Sequence, residues 1–167
     1  KVIRGGVKIQ KRDLETSDTK GQGSATLKDA EFEIISLNDN AVLVNGKLYN
    51  KNEVVKTIHT GVDGIATTAA DTLPYGKYRI EESNAPEGYL TDGAKPIEFE
   101  ITEDGKIVDL TDEAHSIYNQ IKRGDIEGVK IGAGTHKRLA NVPFRITSKT
   151  TGESHIIVTD ANGQFST

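Results

Sequence analysis

Short stretches in which apolar and polar residues alternate recur along most of the chain, and turn-forming pairs separate them. Alternate residues of a β-strand lie on the same face, so this pattern predicts strands that each bury one face. Pairs such as Asp63-Gly64 and Asp92-Gly93 are typical of the turns between strands. The clearest strands are predicted at residues 31–37, 77–80, 96–101 and 106–110. Many short strands with regular turns favour an all-β, immunoglobulin-like β-sandwich.

Local signals predict how some of these strands are connected. Residues 101–108 read as a hairpin around Asp104-Gly105. Residues 38–52 read as an insertion with a small hairpin of its own around Asn45-Gly46. Two further predictions are a short helix at residues 52–56 and an exposed loop at residues 14–26, which are rich in Ser, Thr, Asp and Gly.

Three polar residues fall on strand faces that are otherwise apolar. The stretches that contain them are residues 7–11, 78–82 and 117–121. By alternation, Lys11, Glu82 and Asn119 enter the core, whereas their rivals Lys8 and Glu81 point outward. An amine, a carboxyl group and an amide buried together are costly unless they pair or react. These three residues therefore form the candidate site.

Two interpretations of the three residues are open. In the first, which alternation alone favours, Lys11 and Glu82 form a buried ion pair and Asn119 hydrogen-bonds to it. In the second, the uncharged amine of Lys11 attacks the side-chain amide of Asn119, forms a new amide bond and releases ammonia. Burial disfavours the charged amine, and a carboxyl group kept protonated by an apolar site can polarise the amide carbonyl. Glu82 would then act as the acid and base of the reaction.

An internal repeat divides the chain. The repeated segments are, in pairs, residues 7–11 and 126–130, 30–36 (AEFEIIS) and 142–148 (VPFRITS), and 60–64 and 159–163. Lys130 thereby matches Lys11. We expect a first domain at residues 1–122 and a second at residues 123–167. The second lacks counterparts of the strands that carry the glutamate and the asparagine, so we expect an incomplete repeat in which Lys130 has no partner.

Composition argues against several classes of function. The chain has 167 residues and a net charge of −4, which disfavours nucleic acid or an anionic membrane as a partner. It has no cysteine, and its four histidines lack the spacing of metal ligands, so we expect no disulfide, metal or cofactor. No apolar run is long enough to span a membrane. The opening Lys1-Val2 reads as part of an excised segment of a longer protein.

Residues 73–90 read LPYGKYRIEESNAPEGYL, which resembles the signature of the collagen-adhesin B-type (Cna B-type, or SpaA-type pilin) domains of Gram-positive surface proteins. Residues 7–13, 28–32 and 117–119 resemble the first strand, the second-strand entry and the last strand of that family. The resemblance covers the whole first domain, and the second resembles the start of a further pilin-type repeat. It implies a prealbumin-like β-sandwich with an autocatalytic isopeptide bond between Lys11 and Asn119, assisted by Glu82.

The resemblance also implies a structural stalk module of a surface adhesin or pilus, which reacts once with itself and is not an enzyme. We expect a monomeric, extracellular segment, anchored to the cell wall through regions outside it, with neighbouring domains of the same protein as partners. An alternative is an adhesin module that contacts host matrix through residues 38–52 or the second domain. A carbohydrate-active or peptidase accessory domain is a third interpretation, but the chain has no tryptophan for sugar binding. Arg123-Gly124-Asp125 spells an integrin-type tripeptide and is interpreted as an interdomain linker.

Overall fold

The computed structural model describes residues 1–167 and consists of strands, turns and loops, which confirms the all-β prediction. It forms two compact units, Lys1–Lys122 and Arg123–Thr167. No helix has the length and apolarity that crossing a bilayer requires. The strands of the first unit are β1 Arg4–Asp13, β2 Glu31–Ser36, β3 Val42–Val44, β4 Lys47–Tyr49, β5 Val54–His59, β6 Ile65–Thr67, β7 Leu73–Pro74, β8 Gly76–Asn84, β9 Ile97–Ile101, β10 Ile107–Leu110 and β11 Ile117–Asn119. Those of the second are β12 Glu127–Val129, β13 Pro143–Thr147, β14 Ser154–Val158 and β15 Gln164–Ser166.

Two sheets enclose the core of the first unit. In one, β1 lies between β10 and β11, and β6 and β7 also pair with β1. The other has the order β5-β2-β8-β9 and is antiparallel throughout. Inward residues from both sheets, including Ile9, Phe32 and Ile80, have no exposed surface. The alternating pattern thus gives each sheet one apolar face, and the two faces cover each other.

Strand β1 organises this unit because it pairs with four other strands along its length. Its N-terminal part pairs antiparallel with β7 and parallel with β10. Its C-terminal part pairs antiparallel with β6 and parallel with β11. The register with β11 places Lys11 opposite Ile117 and Asp13 opposite Asn119. The first and last strands of the unit are therefore parallel neighbours.

The hairpin predicted within residues 38–52 is confirmed, since β3 and β4 pair antiparallel. Its turn residues Asn45 and Gly46 have φ values of 48° and 80°, the positive values that a two-residue hairpin turn requires. Val42 and Val44 bury one face of the hairpin in the core, whereas Leu43 on the other face is exposed. Alternation therefore attaches the insertion to the unit through a single face.

The short helix predicted at residues 52–56 is wrong. Val54 begins strand β5, which pairs antiparallel with β2. Val55 and Ile58 are buried in the core. Consecutive β-branched residues favour a strand, and pairing with β2 overrides the weak helical pattern.

The hairpin predicted at residues 101–108 is also wrong, although its turn exists. Strand β9 pairs with β8 in one sheet, whereas β10 pairs with β1 in the other. Gly105, with a φ of 74°, donates its N–H to the carbonyl of Arg4 at 2.7 Å. The turn therefore carries the chain from one sheet to the other, and alternation within each strand cannot distinguish this path from a hairpin.

The second unit repeats backbone and hydroxyl hydrogen bonds of the first. The equivalent pairs are Lys11 N to Gly64 O and Lys130 N to Gly163 O, both 2.8 Å, and Thr60 Oγ1 to Leu27 O at 2.5 Å and Thr159 Oγ1 to Leu139 O at 2.7 Å. Strand β12 pairs with β15, and β13 pairs with β14. The repeat in sequence is thus also a repeat in structure. That it is an incomplete repeat stays a prediction.

Candidate functional site

The three residues singled out by alternation meet inside the first unit. Lys11 lies near the end of β1, Glu82 in the second half of β8 and Asn119 at the end of β11. The side chains of Lys11 and Glu82 are 0% and 2% exposed, and Asn119 is fully buried. Because β8 belongs to one sheet and β1 and β11 to the other, the site lies between the two sheets.

The carboxyl group of Glu82 contacts both other side chains. Its Oε2 atom lies 2.8 Å from Nζ of Lys11. Its Oε1 atom accepts a hydrogen bond from Nδ2 of Asn119 at 2.7 Å. A single carboxyl group is therefore in place to exchange protons with an amine and with an amide nitrogen.

One buried polar atom of this site, Asn119 Oδ1, has no hydrogen-bond partner. Lys11 Nζ and Glu82 Oε2 form an ion pair at 2.8 Å. Buried polar atoms are normally paired, and each unpaired one costs about 1–3 kcal/mol. Removing the charges of Lys11 and Glu82 from water adds a further cost, so the arrangement is expensive as a resting ion pair.

Burial in this site lowers the pKa of Lys11 from 10.5, although attraction to Glu82 acts in the opposite direction. The surroundings are apolar: the ring of Phe32, which is fully buried, has its centroid 5.8 Å from Nζ. Phe32 is also the register partner of Glu82 across β2 and β8. Desolvation thus increases the uncharged fraction of the amine, which is the nucleophilic form.

The side-chain amide of Asn119 has a defined direction. Its Nδ2 atom donates to Glu82 Oε1 and also to the backbone carbonyl of Leu90, both at 2.7 Å. Glu82 therefore contacts the amide nitrogen, whereas the reaction considered from the sequence also had it polarise the carbonyl oxygen. This contact suits proton transfer to a departing nitrogen.

The rival residues from the sequence lie outside this site. Glu81 lies 3.3 Å from the guanidinium of Arg79, and both side chains are partly exposed. Lys8 is half-buried on the other face of β1. Alternation along each strand therefore predicted correctly which lysine and which glutamate face the core.

A second buried carboxyl group, that of Asp13, was missed by the sequence reasoning. Asp13 has no exposed surface, and its Oδ2 atom accepts a hydrogen bond from the hydroxyl of Tyr89 at 2.7 Å. The signal was present, because Asp13 follows Lys11 at the next inward position of β1. Leu90 gave no such signal, because it contributes a backbone atom.

A family model described as SpaA, prealbumin-like fold domain, matches residues 5–114. The chain belongs to the SpaA family. The match includes Lys11 and Glu82 and ends before Asn119. It confirms the resemblance seen at residues 73–90 and the prealbumin-like form of the β-sandwich. No curated protein matches the chain.

Several solved structures resemble this chain. The TIE protein of Bacillus anthracis has a TM-score of 0.61 and 23% identity, over 99% of this chain and 26% of that chain. A streptococcal ancillary pilin has a TM-score of 0.47 and 20% identity, over 99% of this chain and 50% of that chain. BcpA, the major pilin of Bacillus cereus, has a TM-score of 0.46 and 26% identity, over 72% of this chain and 30% of that chain. The chain spans half or less of each of these proteins, and the likeness to the TIE protein concerns the fold alone.

Proposed function

We propose that this chain is a structural stalk module of a Gram-positive surface protein or pilus, locked by an isopeptide bond between Lys11 and Asn119. One observation carries the proposal: the buried carboxyl group of Glu82 lies 2.8 Å from the amine and 2.7 Å from the amide nitrogen. Such a group in a dry site is suited to acid and base chemistry. Membership of the SpaA family supports a structural role.

The proposed reaction needs only the three side chains. Moving the proton of the ammonium group to Glu82 leaves an uncharged amine, and a dry site tolerates two neutral groups better than two charges. Nζ of Lys11 then attacks Cγ of Asn119, and Glu82 carries a proton from the attacking nitrogen to the leaving nitrogen. One C–N bond forms, one C–N bond breaks, and one ammonia leaves. The chain reacts once and does not turn over.

The position of the bond in the fold fits a stalk. Strands β1 and β11 are the first and last of the first unit and lie side by side. A covalent tie between them would pass tension from one end of the unit to the other without loading the core. The partners proposed are the neighbouring domains of the same extracellular protein, anchored to the cell wall elsewhere. Contact with host matrix stays a prediction.

The direct test is the intact mass of the full chain after folding. We expect the wild-type chain to be lighter than its sequence mass by one ammonia. Lys11→Met, Glu82→Gln and Asn119→Ala should each keep the full sequence mass, because each removes one participant in the reaction.

Matched controls use the outward rivals on the same strands. Lys8→Met and Glu81→Gln make the same chemical changes three residues from Lys11 and one residue from Glu82, on the outward faces, and both should still lose the ammonia. A folded wild-type chain at its full sequence mass would disprove the cross-link and leave the buried ion pair as the correct interpretation.

The rate of cross-linking should pass through a maximum as pH is varied. In the reactive state, Lys11 and Glu82 share one proton. Acid adds a second proton, so the amine stays charged and cannot attack. Alkali removes the shared proton, so Glu82 has none to deliver to the leaving nitrogen. Burial, opposed by attraction to Glu82, lowers the pKa of Lys11, so the alkaline fall should begin below pH 10.5.

This profile can be measured on unreacted chain prepared by peptide ligation in acidic denaturant and refolded at each pH, with acid quenching and mass analysis. A rate that keeps rising beyond pH 10.5, the ordinary pKa of lysine, would argue against Glu82 as the proton carrier.

A further inference from the structure

The backbone carbonyl of Leu90 decides which way the reactive amide points. Nδ2 of Asn119 has two hydrogens, and it donates to Glu82 Oε1 and to Leu90 O. Turning the amide over would bring Oδ1 against Leu90 O, where two acceptors would face each other without a hydrogen. Leu90 therefore holds the leaving nitrogen, rather than the carbonyl oxygen, against the carboxyl group of Glu82.

The segment that carries this carbonyl is fixed against the chain that follows β11. The N–H of Leu90 donates to the carbonyl of Gln120 at 2.8 Å, and Tyr89 forms an isolated antiparallel bridge with Ile121. The N–H of Lys122 donates to the carbonyl of Gly88 at 2.9 Å. The position of Leu90 is thus tied directly to the residues after Asn119.

The side chain of Tyr89 anchors the same segment from the opposite side. Tyr89 is 3% exposed, and its hydroxyl donates to Oδ2 of Asp13 at 2.7 Å. Asp13 lies opposite Asn119 in the register of β1 and β11, and the N–H of Leu14 donates to the carbonyl of Asn119 at 3.0 Å. Tyr89 therefore connects Leu90 to the strand that carries Lys11.

Asp13 is itself held firmly. Its Oδ1 atom accepts from the N–H groups of Glu15 and Thr16, both at 2.8 Å, and Gln22 Nε2 lies within hydrogen-bond distance of both carboxylate oxygens. Burial acts to raise the pKa of Asp13, but hydrogen bonds from Tyr89, Thr16 and Gln22 outweigh it and keep the pKa below its ordinary value. The carboxylate thus stays charged and remains a strong acceptor near neutral pH.

We propose that Tyr89, anchored by Asp13, is a positioning residue for the cross-link, acting through the Leu90 carbonyl on the amide of Asn119. This inference rests on the proposed function. Loss of the hydroxyl removes the attachment of residues 88–90 to β1 and leaves only their backbone contacts with residues 120–122, so the amide samples more often directions in which its nitrogen does not face Glu82. A small misplacement of reacting groups slows a reaction substantially.

The test compares two substitutions that each remove one buried hydroxyl. Tyr89→Phe should slow ammonia loss by about tenfold, which corresponds to one weakened hydrogen bond in the reactive geometry. Tyr78→Phe is the matched control, because Tyr78 is fully buried and donates its hydroxyl to the carbonyl of Pro74 at 2.8 Å, away from the amide. It should react at the wild-type rate. Equal rates for Tyr89→Phe and the wild type, or equal slowing in both variants, would overturn the proposal.

A backbone change tests the route through Leu90. Ligation of a chain in which Thr91 is replaced by its α-hydroxy acid turns the Leu90–Thr91 amide into an ester, whose carbonyl is a weaker acceptor. The ester should slow the reaction, and adding Tyr89→Phe should slow it little further, because both changes act on the same contact. An ester chain that reacts at the wild-type rate, or two effects that multiply fully, would contradict this route.

A purely structural effect is separated by working in a background that cannot react. With Lys11→Met present, both Tyr89→Phe and Tyr78→Phe should lower the free energy of unfolding, Tyr89→Phe by more because its hydroxyl donates to a charged carboxylate, although only Tyr89→Phe slows the reaction in the wild-type background. The wild-type mass is measured first. Failure of the wild type to lose ammonia overturns the cross-link itself, whereas failure of the Tyr89 comparison in a reacting chain overturns only the positioning role.

Discussion

Lys11→Met combined with Glu82→Gln should lower the free energy of unfolding of the first unit by about 4–5 kcal/mol. The isopeptide bond would close a loop of about a hundred residues, and loop-closure entropy assigns that much stabilisation to a cross-link of this span. The melting temperature should fall by about 15 °C or more. All five tyrosines lie in residues 1–122, so tyrosine fluorescence or near-ultraviolet circular dichroism follows this unit without a signal from the second.

The same double substitution has the opposite expected result for the rival interpretation. If Lys11 and Glu82 form only a buried ion pair, replacing both by uncharged residues of similar volume should be neutral or stabilising. An exposed pair provides the control: Lys51→Met with Asp39→Asn removes an ion pair of 2.9 Å whose side chains are 51% and 89% exposed. This control should change the stability by less than about 1 kcal/mol. An unchanged or raised stability in the Lys11 and Glu82 variant would rule out the cross-link.

The sequence predicted the members of the site because each lies on a regular strand. Lys11, Glu82 and Asn119 share a face with apolar neighbours, and a period of two residues is enough to place them inside. The same two-residue period placed Lys8 and Glu81 on the outward faces of their strands. Asp13 obeyed the rule as well and could have been found by extending the first strand by one inward position. Burial of side chains on strands is therefore the part of this site that alternation encodes.

The contacts that direct the amide are not encoded in this way. Leu90 acts through its backbone carbonyl, and Tyr89 lies in a connecting segment outside the named strands. Their positions depend on pairing with residues 120–122 and on the hydrogen bond to Asp13, which are long-range contacts. The alternation of apolar and polar residues along the chain does not show which segments distant in sequence contact each other in the fold.

The wrong connection at residues 101–108 has the same origin. The turn at Asp104-Gly105 was identified, but the partners of β9 and β10 were not. Each strand is apolar on one face whether it pairs with its neighbour in sequence or with a strand of the opposite sheet. The internal repeat was a stronger signal, because two similar sequences are expected to form similar patterns of backbone hydrogen bonds. Lys130 could thus be assigned to the position of Lys11 from the sequence, and the bond from its N–H to Gly163 reproduces that of Lys11.

A cross-linked first unit should release almost no hidden length when it is pulled from its ends. Tension applied at Lys1 and Lys122 reaches β1 and β11 first, and these strands are parallel neighbours in register at Lys11 and Ile117. With the bond in place, force passes from β1 to β11 through the two side chains. The loop of about a hundred residues between them cannot extend.

Single-molecule pulling of the full chain between handles at its two ends measures this length. Lys11→Met should release roughly 350 Å when the first unit opens, since about a hundred residues extend by about 3.3–3.6 Å each. Lys8→Met, the outward control on the same strand, should behave as the wild type does. The second unit lies outside the bond and should contribute the same shorter extension in every variant. A wild-type chain that releases the full length would show that no covalent tie joins its first and last strands, because a covalent bond would keep that loop closed even after the hydrogen bonds of the unit had broken.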